Sequence, residues 1–196
     1  MLIVGINRKE TEMKKIIALA VVAAACSTTA MAQSVGQWYG EASYQMTTLT
    51  DTSGDLGKFK TNGISLGLGN VVMSNVAVEG FYNLPSSTAT NTRSGTATIE
   101  IKQKATYGFA VRPFINVTDD IELFGRIGRT FGQNEWAYKD ATSTDGGTDN
   151  IASNFYGLGV AYKISKEVSV VADYKKLTGI SNPSVSATSV GVRYNF

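Results

Sequence analysis

The feature that most constrains this chain is an alternation of apolar and polar side chains that recurs in eight blocks. Tyr107, Phe109 and Val111, for example, stand at every second position, with small residues between them. Successive side chains of a β-strand point to opposite faces, so a period of two gives each strand one apolar and one polar face. The pattern therefore predicts eight β-strands. The blocks span residues 37–49, 63–72, 75–84, 99–112, 121–130, 153–164, 168–175 and 188–196.

The polar connections between the blocks alternate between longer and shorter segments. Outer-membrane barrels have an even number of antiparallel strands, short periplasmic turns and longer external loops. The connections therefore predict an all-β chain that forms an eight-stranded antiparallel up-and-down transmembrane β-barrel, with the first strand starting and the last strand ending at the periplasmic side. The long connections are residues 50–62, 86–96 and 140–150, and 179–185 is of intermediate length. The short ones are 73–75, 116–120 and 165–167.

A soluble β-sandwich or lipocalin-like barrel is the alternative fold, because its strands would alternate too. Two features favour the membrane barrel. The inner faces combine charged residues with Gly and Ser, as a narrow hydrated lumen requires; Glu100, Lys102 and Lys104 are assigned to such a face. Aromatic residues also lie near the block ends, where the interfacial girdles of a membrane barrel are found. These aromatic residues are Trp38, Tyr44, Tyr82, Phe114, Tyr162, Tyr174, Tyr194 and Phe196.

The start of the chain has the pattern of an export signal. An apolar run at residues 16–26 follows two lysines and precedes Ala30-Met31-Ala32. A basic start, an apolar stretch of about 7–15 residues and a small-x-small cleavage site describe a secretory signal peptide. We therefore predict cleavage after Ala32, which divides the chain into a signal peptide, residues 1–32, and a barrel domain, residues 33–196.

Two features of the signal peptide have alternative interpretations. Residues 1–12 precede Met13, which is followed directly by two lysines, and are interpreted as a misplaced start. Cys26 is the single cysteine of the chain, and lipoprotein-type processing with acylation of Cys26 is the alternative to cleavage after Ala32. In both cases the barrel domain contains neither a disulfide nor a thiolate ligand.

The excess of positive charge lies in the signal peptide. The barrel domain carries 14 basic and 14 acidic residues and is formally neutral. It lacks the basic surplus with which proteins neutralise phosphates of a nucleic acid. We therefore predict no nucleic-acid partner.

The last strand ends on an alternating apolar motif with an aromatic final residue. The motif consists of Val190, Val192, Tyr194 and Phe196. It resembles the C-terminal signal that the assembly machinery reads in outer-membrane barrels. Together with the eight blocks, residues 37–196 resemble the OmpA-like and OmpX-like family of small, porin-like outer-membrane barrels. The resemblance implies a monomer in the outer membrane that contacts outer-membrane lipids and lipopolysaccharide, and that periplasmic chaperones and the barrel assembly machinery deliver and insert.

The chain contains no histidine, which bears on catalysis. Barrel enzymes of similar architecture, such as the outer-membrane phospholipase and the omptin-type proteases, rely as families on a histidine for proton transfer or nucleophile activation. We therefore predict no catalytic residue and no cofactor. Asp140, Asp145, Asp149 and Asn150 cluster in one loop but lack the spacing of a calcium loop, so we predict no metal site.

Charged side chains of both signs point toward the predicted interior. Because buried charges normally occur in pairs, we predict a lumen ion network. Closure brings the first and last strands together, so Glu41 and Arg193 are expected to meet at the seam. Arg112, Glu122 and Arg126 are expected near the short turn after Val117. The full predicted network is Glu41, Glu79, Arg112, Glu122, Arg126, Asp173, Lys175 and Arg193.

The predicted lumen bears directly on function. About eight strands enclose an interior that side chains fill, and Gly67, Gly69, Gly157 and Gly159 leave room for long side chains opposite them. A plugged polar lumen predicts a non-enzymatic protein that serves outer-membrane integrity or surface interaction through its external loops. The alternative is a narrow porin-like channel for ions or small solutes. The sequence names no external ligand, although Arg129, on the lipid-facing side, is expected to reach lipopolysaccharide phosphates.

Overall fold

The structure of the protein is a computed structural model that describes residues 34–50, 58–86, 89–92, 98–139, 144–178 and 184–196. The predicted signal peptide with Cys26 lies outside the described residues, as do Asp140 and the side chain of Glu100. In the described part of the chain, no helix is long and apolar enough to cross a membrane.

The described strands form one antiparallel sheet, and eight of them close into a barrel. The strands are β1 Trp38–Thr50, β2 Lys58–Met73, β3 Val76–Pro85, β4 Ala89–Thr92, β5 Thr98–Gln103, β6 Thr106–Asn116, β7 Ile121–Lys139, β8 Thr144–Lys163, β9 Val168–Thr178 and β10 Ser184–Asn195. Around the ring, β1 is followed by β2, β3, β6, β7, β8, β9 and β10, and β10 pairs back to β1. The predicted eight-stranded antiparallel barrel is confirmed.

The fourth predicted block is interrupted, because it forms β5 and β6 instead of one strand. Both pair with β7, but Gln103 lies opposite Asn134 whereas Tyr107 lies opposite Phe131, so one extra residue stands between the two ladders. An extra residue reverses the faces of the strand beyond it. Gln103 therefore lines the lumen, and Lys104 points outward to Glu135 at 2.7 Å. The assignment of Lys102 and Lys104 to the inner face was wrong.

Large apolar side chains cover the outside of the barrel. Leu158 is 74% exposed and Ile127 65%, although both stand in the middle of paired strands. Such a surface fits hydrocarbon and does not fit water, so it is the lipid face. Phe114 was wrongly assigned to the outer aromatic residues. It shares the inward face of β6 with Arg112 and is only 4% exposed.

Two strands are much longer than a membrane requires. β7 has 19 residues and β8 has 20, whereas a tilted strand crosses the bilayer in about 9–11 residues. They remain paired up to Lys139 and Thr144, at the end of the barrel opposite the short turns. β5 pairs with this outer part of β7, and β4 pairs with β5. A sheet of four strands, which we call the external extension, therefore continues beyond the membrane.

A charge on the lipid face should destabilise the barrel. Leu158→Arg or Tyr107→Arg is expected to lower the free energy of unfolding by about 2–4 kcal/mol near the bilayer midplane. Denaturant unfolding in lipid vesicles measures this value, and the different gel mobility of unheated and boiled protein reports the folded fraction. Gln133→Arg, on the exposed part of β7, is the control and should be close to neutral. Near-neutral values at both Leu158 and Tyr107 would contradict the lipid face.

Candidate functional site

The first and last strands meet at a seam that is closed by hydrogen bonds and by an ion pair. Glu41 of β1 lies directly opposite Arg193 of β10, and Arg193 Nη2 donates to Glu41 Oε2 over 3.1 Å. Both side chains point into the lumen, where Arg193 is 1% exposed. Below them, the Phe196 backbone N–H donates to the Trp38 carbonyl over 2.9 Å. The seam is therefore held by backbone hydrogen bonds within the sheet and by an ion pair in the lumen.

Arg126 lies at the centre of the lumen and binds three carboxylates from three strands. Its Nη2 donates to Glu41 Oε2 over 2.8 Å, and its Nε donates to Glu79 Oε2 over 2.7 Å. Its Nη1 donates to Asp173. All four side chains are at most 8% exposed. One guanidinium thus connects β1, β3 and β9 across the barrel from its own position on β7.

A second group of ion pairs lies nearer the periplasmic turns. Arg112 Nη2 donates to Glu122, and Arg193 Nη1 donates to Glu122 Oε1 over 3.0 Å. Because Arg193 also binds Glu41, it links this group to the carboxylates around Arg126. The structure thus brings Arg112 and Glu122 together near the short turn, whereas Arg126 lies farther toward the outside and binds other partners.

Aromatic rings fill the space between the three guanidinium groups. The Phe124 ring centroid lies 4.2 Å from the Arg112 Cζ, 4.9 Å from the Arg126 Cζ and 5.5 Å from the Arg193 Cζ. Among the described residues, Arg112 Nη1 and Arg193 Nε have no hydrogen-bond partner, and Arg112 Nε lies 3.5 Å from Glu79 Oε1. Contact with a π face compensates these groups in part. Phe124 shares the inward face of β7 with Glu122 and Arg126 and is 3% exposed, and its role is to separate and cover these cations.

Tyr39 belongs to this cluster and was missed in the sequence. Its hydroxyl donates to Glu79 Oε1 over 2.7 Å, and its ring centroid lies 4.8 Å from the Arg193 Cζ. Tyr39 is 1% exposed. The signal was present, because Tyr39 and Glu41 are two positions apart and must share a face.

Glycines stand directly opposite the largest inward side chains. Gly69 is paired with Tyr39 and Gly67 with Glu41, while Gly159 is paired with Phe124. A Cβ at Gly159 would lie 2.3 Å from Phe124 Cζ and 2.7 Å from the Ala172 carbonyl oxygen. Neither contact is possible between real atoms, and a Cβ at Gly69 would lie 2.2 Å from Tyr39 Cζ, so these two rings need a glycine opposite them. A Cβ at Gly67 would meet nothing closer than 3.7 Å. The glycines make the space that the charged and aromatic groups occupy.

Lys175 ends the network on its external side. Its Nζ lies 3.9 Å from Asp173 Oδ1 and 3.4 Å from Gln45 Oε1. The space among the charges below it is a gap of about 20 Å³, whereas the lumen above it is a cavity of about 480 Å³. The periplasmic half of the lumen is therefore filled, and the external half is roomy and polar. We call the filled half, from Glu122 to Lys175, the charge plug.

The arrangement has consequences for the chemistry of the carboxylates. Glu41, Glu79, Glu122 and Asp173 each contact at least one arginine within the lumen. A carboxylate held in this way is a poor general base, since proton uptake would break an ion pair. In the described residues, no group of three or more acidic, Cys or His side chains is placed to hold a metal ion.

A closed barrel with an apolar outer band, external strand extensions and a charged interior defines the class of integral outer-membrane β-barrel proteins. Within that class, the chain belongs to the outer membrane protein beta-barrel domain family, whose model matches residues 17–196. The resemblance to small outer-membrane barrels is confirmed, and with it the location in the outer membrane, in contact with its lipids and lipopolysaccharide. No curated protein sequence matches the chain.

Several solved barrels share the fold. Ail, the attachment invasion locus protein of Yersinia pestis, is 14% identical with a TM-score of 0.60, over 83% of this chain and 100% of Ail. Neisserial surface protein A is 13% identical with a TM-score of 0.57, over 81% of this chain and 97% of its own. OprG from Pseudomonas aeruginosa is 8% identical with a TM-score of 0.51, over 83% of this chain and 96% of OprG. Ail has also been crystallised with the heparin analogue sucrose octasulfate.

The seam pair should show energetic coupling. Glu41→Gln or Arg193→Gln leaves an uncompensated buried charge, so each is expected to lower the free energy of unfolding by about 3–5 kcal/mol. The double variant should lower the free energy of unfolding by less than the sum of the two single variants, with a coupling energy of about 0.5–3 kcal/mol. Denaturant unfolding of the four proteins in vesicles gives the cycle.

The exposed pair Lys104–Glu135 offers a matched control. Its side chains are 43% and 39% exposed, and the same two Gln substitutions there should change stability by about 0–1 kcal/mol. Purely additive effects at Glu41 and Arg193 would mean that the two do not interact.

Proposed function

We propose that this chain is a non-enzymatic outer-membrane protein that stabilises the membrane through its barrel and interacts at the cell surface through its external extension. The observation that carries the proposal is the charge plug, which fills the periplasmic half of the lumen and occupies every carboxylate there with an arginine. The absence of histidine from the sequence supports a role without catalysis.

The barrel is suited to a structural role in the membrane. Its outer face is a continuous apolar band, and the exposed Arg129 lies near its external end with its Cζ 5.6 Å from the Phe131 ring centroid. A guanidinium at that height can bind lipopolysaccharide phosphates while its stem stays in the apolar layer. We infer that the barrel holds lipopolysaccharide in place from the membrane side.

The external extension supports a role at the cell surface. It presents hydrogen-bonded, polar strands well beyond the membrane, and rigid strands hold surface side chains in fixed positions. Ail, which shares the fold, binds the heparin analogue sucrose octasulfate in its crystal. We propose that the external extension of this chain binds a partner of the same kind, a sulfated polysaccharide such as heparin.

The last strand carries the motif through which assembly partners are proposed to bind. Val190, Tyr194 and Phe196 lie on the lipid face, with Phe196 70% exposed. Side chains that remain outward after folding are accessible to the machinery that inserts the strand. We propose that periplasmic chaperones and the barrel assembly machinery recognise this motif, that residues 1–32 are removed on export, and that the folded chain is a monomer.

A narrow channel is the second candidate function. The cavity of about 480 Å³ leads inward to Lys175, so the charge plug alone separates it from the periplasmic end. Ion pairs that exchange partners would open a path for ions.

Conductance separates the two candidates. The folded protein, extracted in detergent and inserted into planar bilayers, should show no stable openings, because charge pairs and aromatic rings fill the plug. A large-pore porin recorded in the same bilayers is the positive control. Reproducible single-channel steps from the folded protein would favour the channel and overturn the structural proposal.

Truncation tests the division of roles between barrel and extension. Residues 135–148 can be replaced by Asn-Gly, because Asn134 and Asp149 lie opposite each other and a two-residue turn joins such a pair. Cells that lack the protein should become more sensitive to SDS with EDTA, and the truncated and full chains should restore resistance equally. Only the full chain should support adhesion to heparin-coated surfaces. Equal adhesion by both chains would contradict a surface role of the extension.

A further inference from the structure

The external half of the lumen is a polar cavity with a charged floor. Phe81, Phe155 and Lys175 line both this cavity and the small gap inside the charge plug, so they form the partition between them. The cavity measures about 480 Å³, within the range of about 300–1,000 Å³ that small-molecule sites occupy. Its described walls consist mostly of uncharged side chains, and Lys175 is the cation among them.

Lys175 is positioned to bind a single negative charge. Its Nζ is 3.9 Å from Asp173, too far for a hydrogen bond, and its one hydrogen-bond contact in the described residues is with Gln45 Oε1 at 3.4 Å. An ammonium group has three donors, so donors remain for a ligand. Asp173 and Glu41 lie behind it in the plug. Arg126 neutralises both of them, so Lys175 is left to balance one further negative charge, and the floor favours one carboxylate over a doubly charged phosphate.

The walls offer hydroxyl and amide groups to a ligand. Thr47, Asn83 and Asn134 are among the residues that line the cavity. Hydroxyl and amide groups can both donate and accept hydrogen bonds, so they can pair with the hydroxyls of a ligand. The Asn83 amide is fixed, because its Nδ2 donates to Thr106 Oγ1 over 2.9 Å. The walls therefore favour a ligand that carries hydroxyl groups.

The cavity also contains an apolar surface near its charged floor. The rings of Phe81 and Phe155 pack edge to face with centroids 5.5 Å apart, and both line the cavity. The C–H groups of a sugar ring pack well against aromatic side chains, whose faces carry partial negative charge. A flexible hydroxy acid without a ring would gain less from this surface.

We propose that this cavity binds a sugar acid, with its carboxylate on Lys175, its hydroxyls on Asn83 and Asn134, and its ring against Phe81 and Phe155. The site faces the outside of the cell and ends at the charge plug. The protein therefore captures its ligand from the external medium, a binding activity beyond membrane integrity and independent of whether the barrel conducts.

Titration calorimetry of the folded protein in detergent tests the proposal with galacturonate, galactose and acetate as probes. Galacturonate should bind saturably and at least about tenfold more tightly than galactose, which lacks the carboxylate, or acetate, which lacks the ring and hydroxyls. Lys175→Met should remove the preference for galacturonate over galactose. Lys104→Met, at an external lysine paired with Glu135 outside the lumen, is the matched control and should bind like the wild type.

Asn134→Ala keeps the test independent of the charged residues, because it leaves the plug intact. It should weaken the binding of galacturonate and of galactose by similar factors. The gel shift between unheated and boiled protein verifies that each variant is folded. No saturable binding of galacturonate by the wild type would overturn the proposal. Equal affinity of the wild type for acetate and galacturonate would overturn it as well. So would an equal loss of galacturonate affinity in Lys104→Met and Lys175→Met.

Discussion

Hydrocarbon offers the backbone no hydrogen-bond partner, and every other property of this barrel follows from that constraint. Each N–H and C=O in the membrane must be paired within the sheet, so the sheet must close on itself. The pairing of β1 with β10 provides this closure. Eight strands enclose little space, and inward side chains from all sides then meet one another rather than water. The interior must therefore be packed as closely as an apolar core, even though most of its residues are polar.

The charge plug solves the packing problem with ion pairs. Four carboxylates and four cations occupy the plug, so it carries no formal net charge. Burying so many charges is unfavourable unless each is compensated, and Arg126 compensates three carboxylates at once. Phe124 and Tyr39 pack against the arginines, and the glycines paired with them, Gly159 and Gly69, leave the space that the two rings occupy.

The two halves of the lumen have different physical characters. The periplasmic half is filled by charges and rings, whereas the external half is lined mostly by hydroxyls and amides around an open volume. This asymmetry suits the two activities that we propose: a rigid anchor in the membrane, and ligand binding in an external cavity with Lys175 at its floor. The external extension adds a surface above both. None of these functions needs a proton-transferring residue.

The sequence by itself determined the strand number, the faces of most strands and the seam, because the two-residue period and antiparallel closure require them. The same period gives the eight charged residues of the proposed lumen network inward parity. Which charges pair was decided only by tertiary structure, since the height of a residue in the barrel depends on the stagger of every strand. The extra residue between β5 and β6 reversed the faces of Lys102 and Lys104, and Phe114 lies inside because it shares the parity of Arg112. The external cavity likewise arises from strands distant in sequence, and no local pattern encodes it.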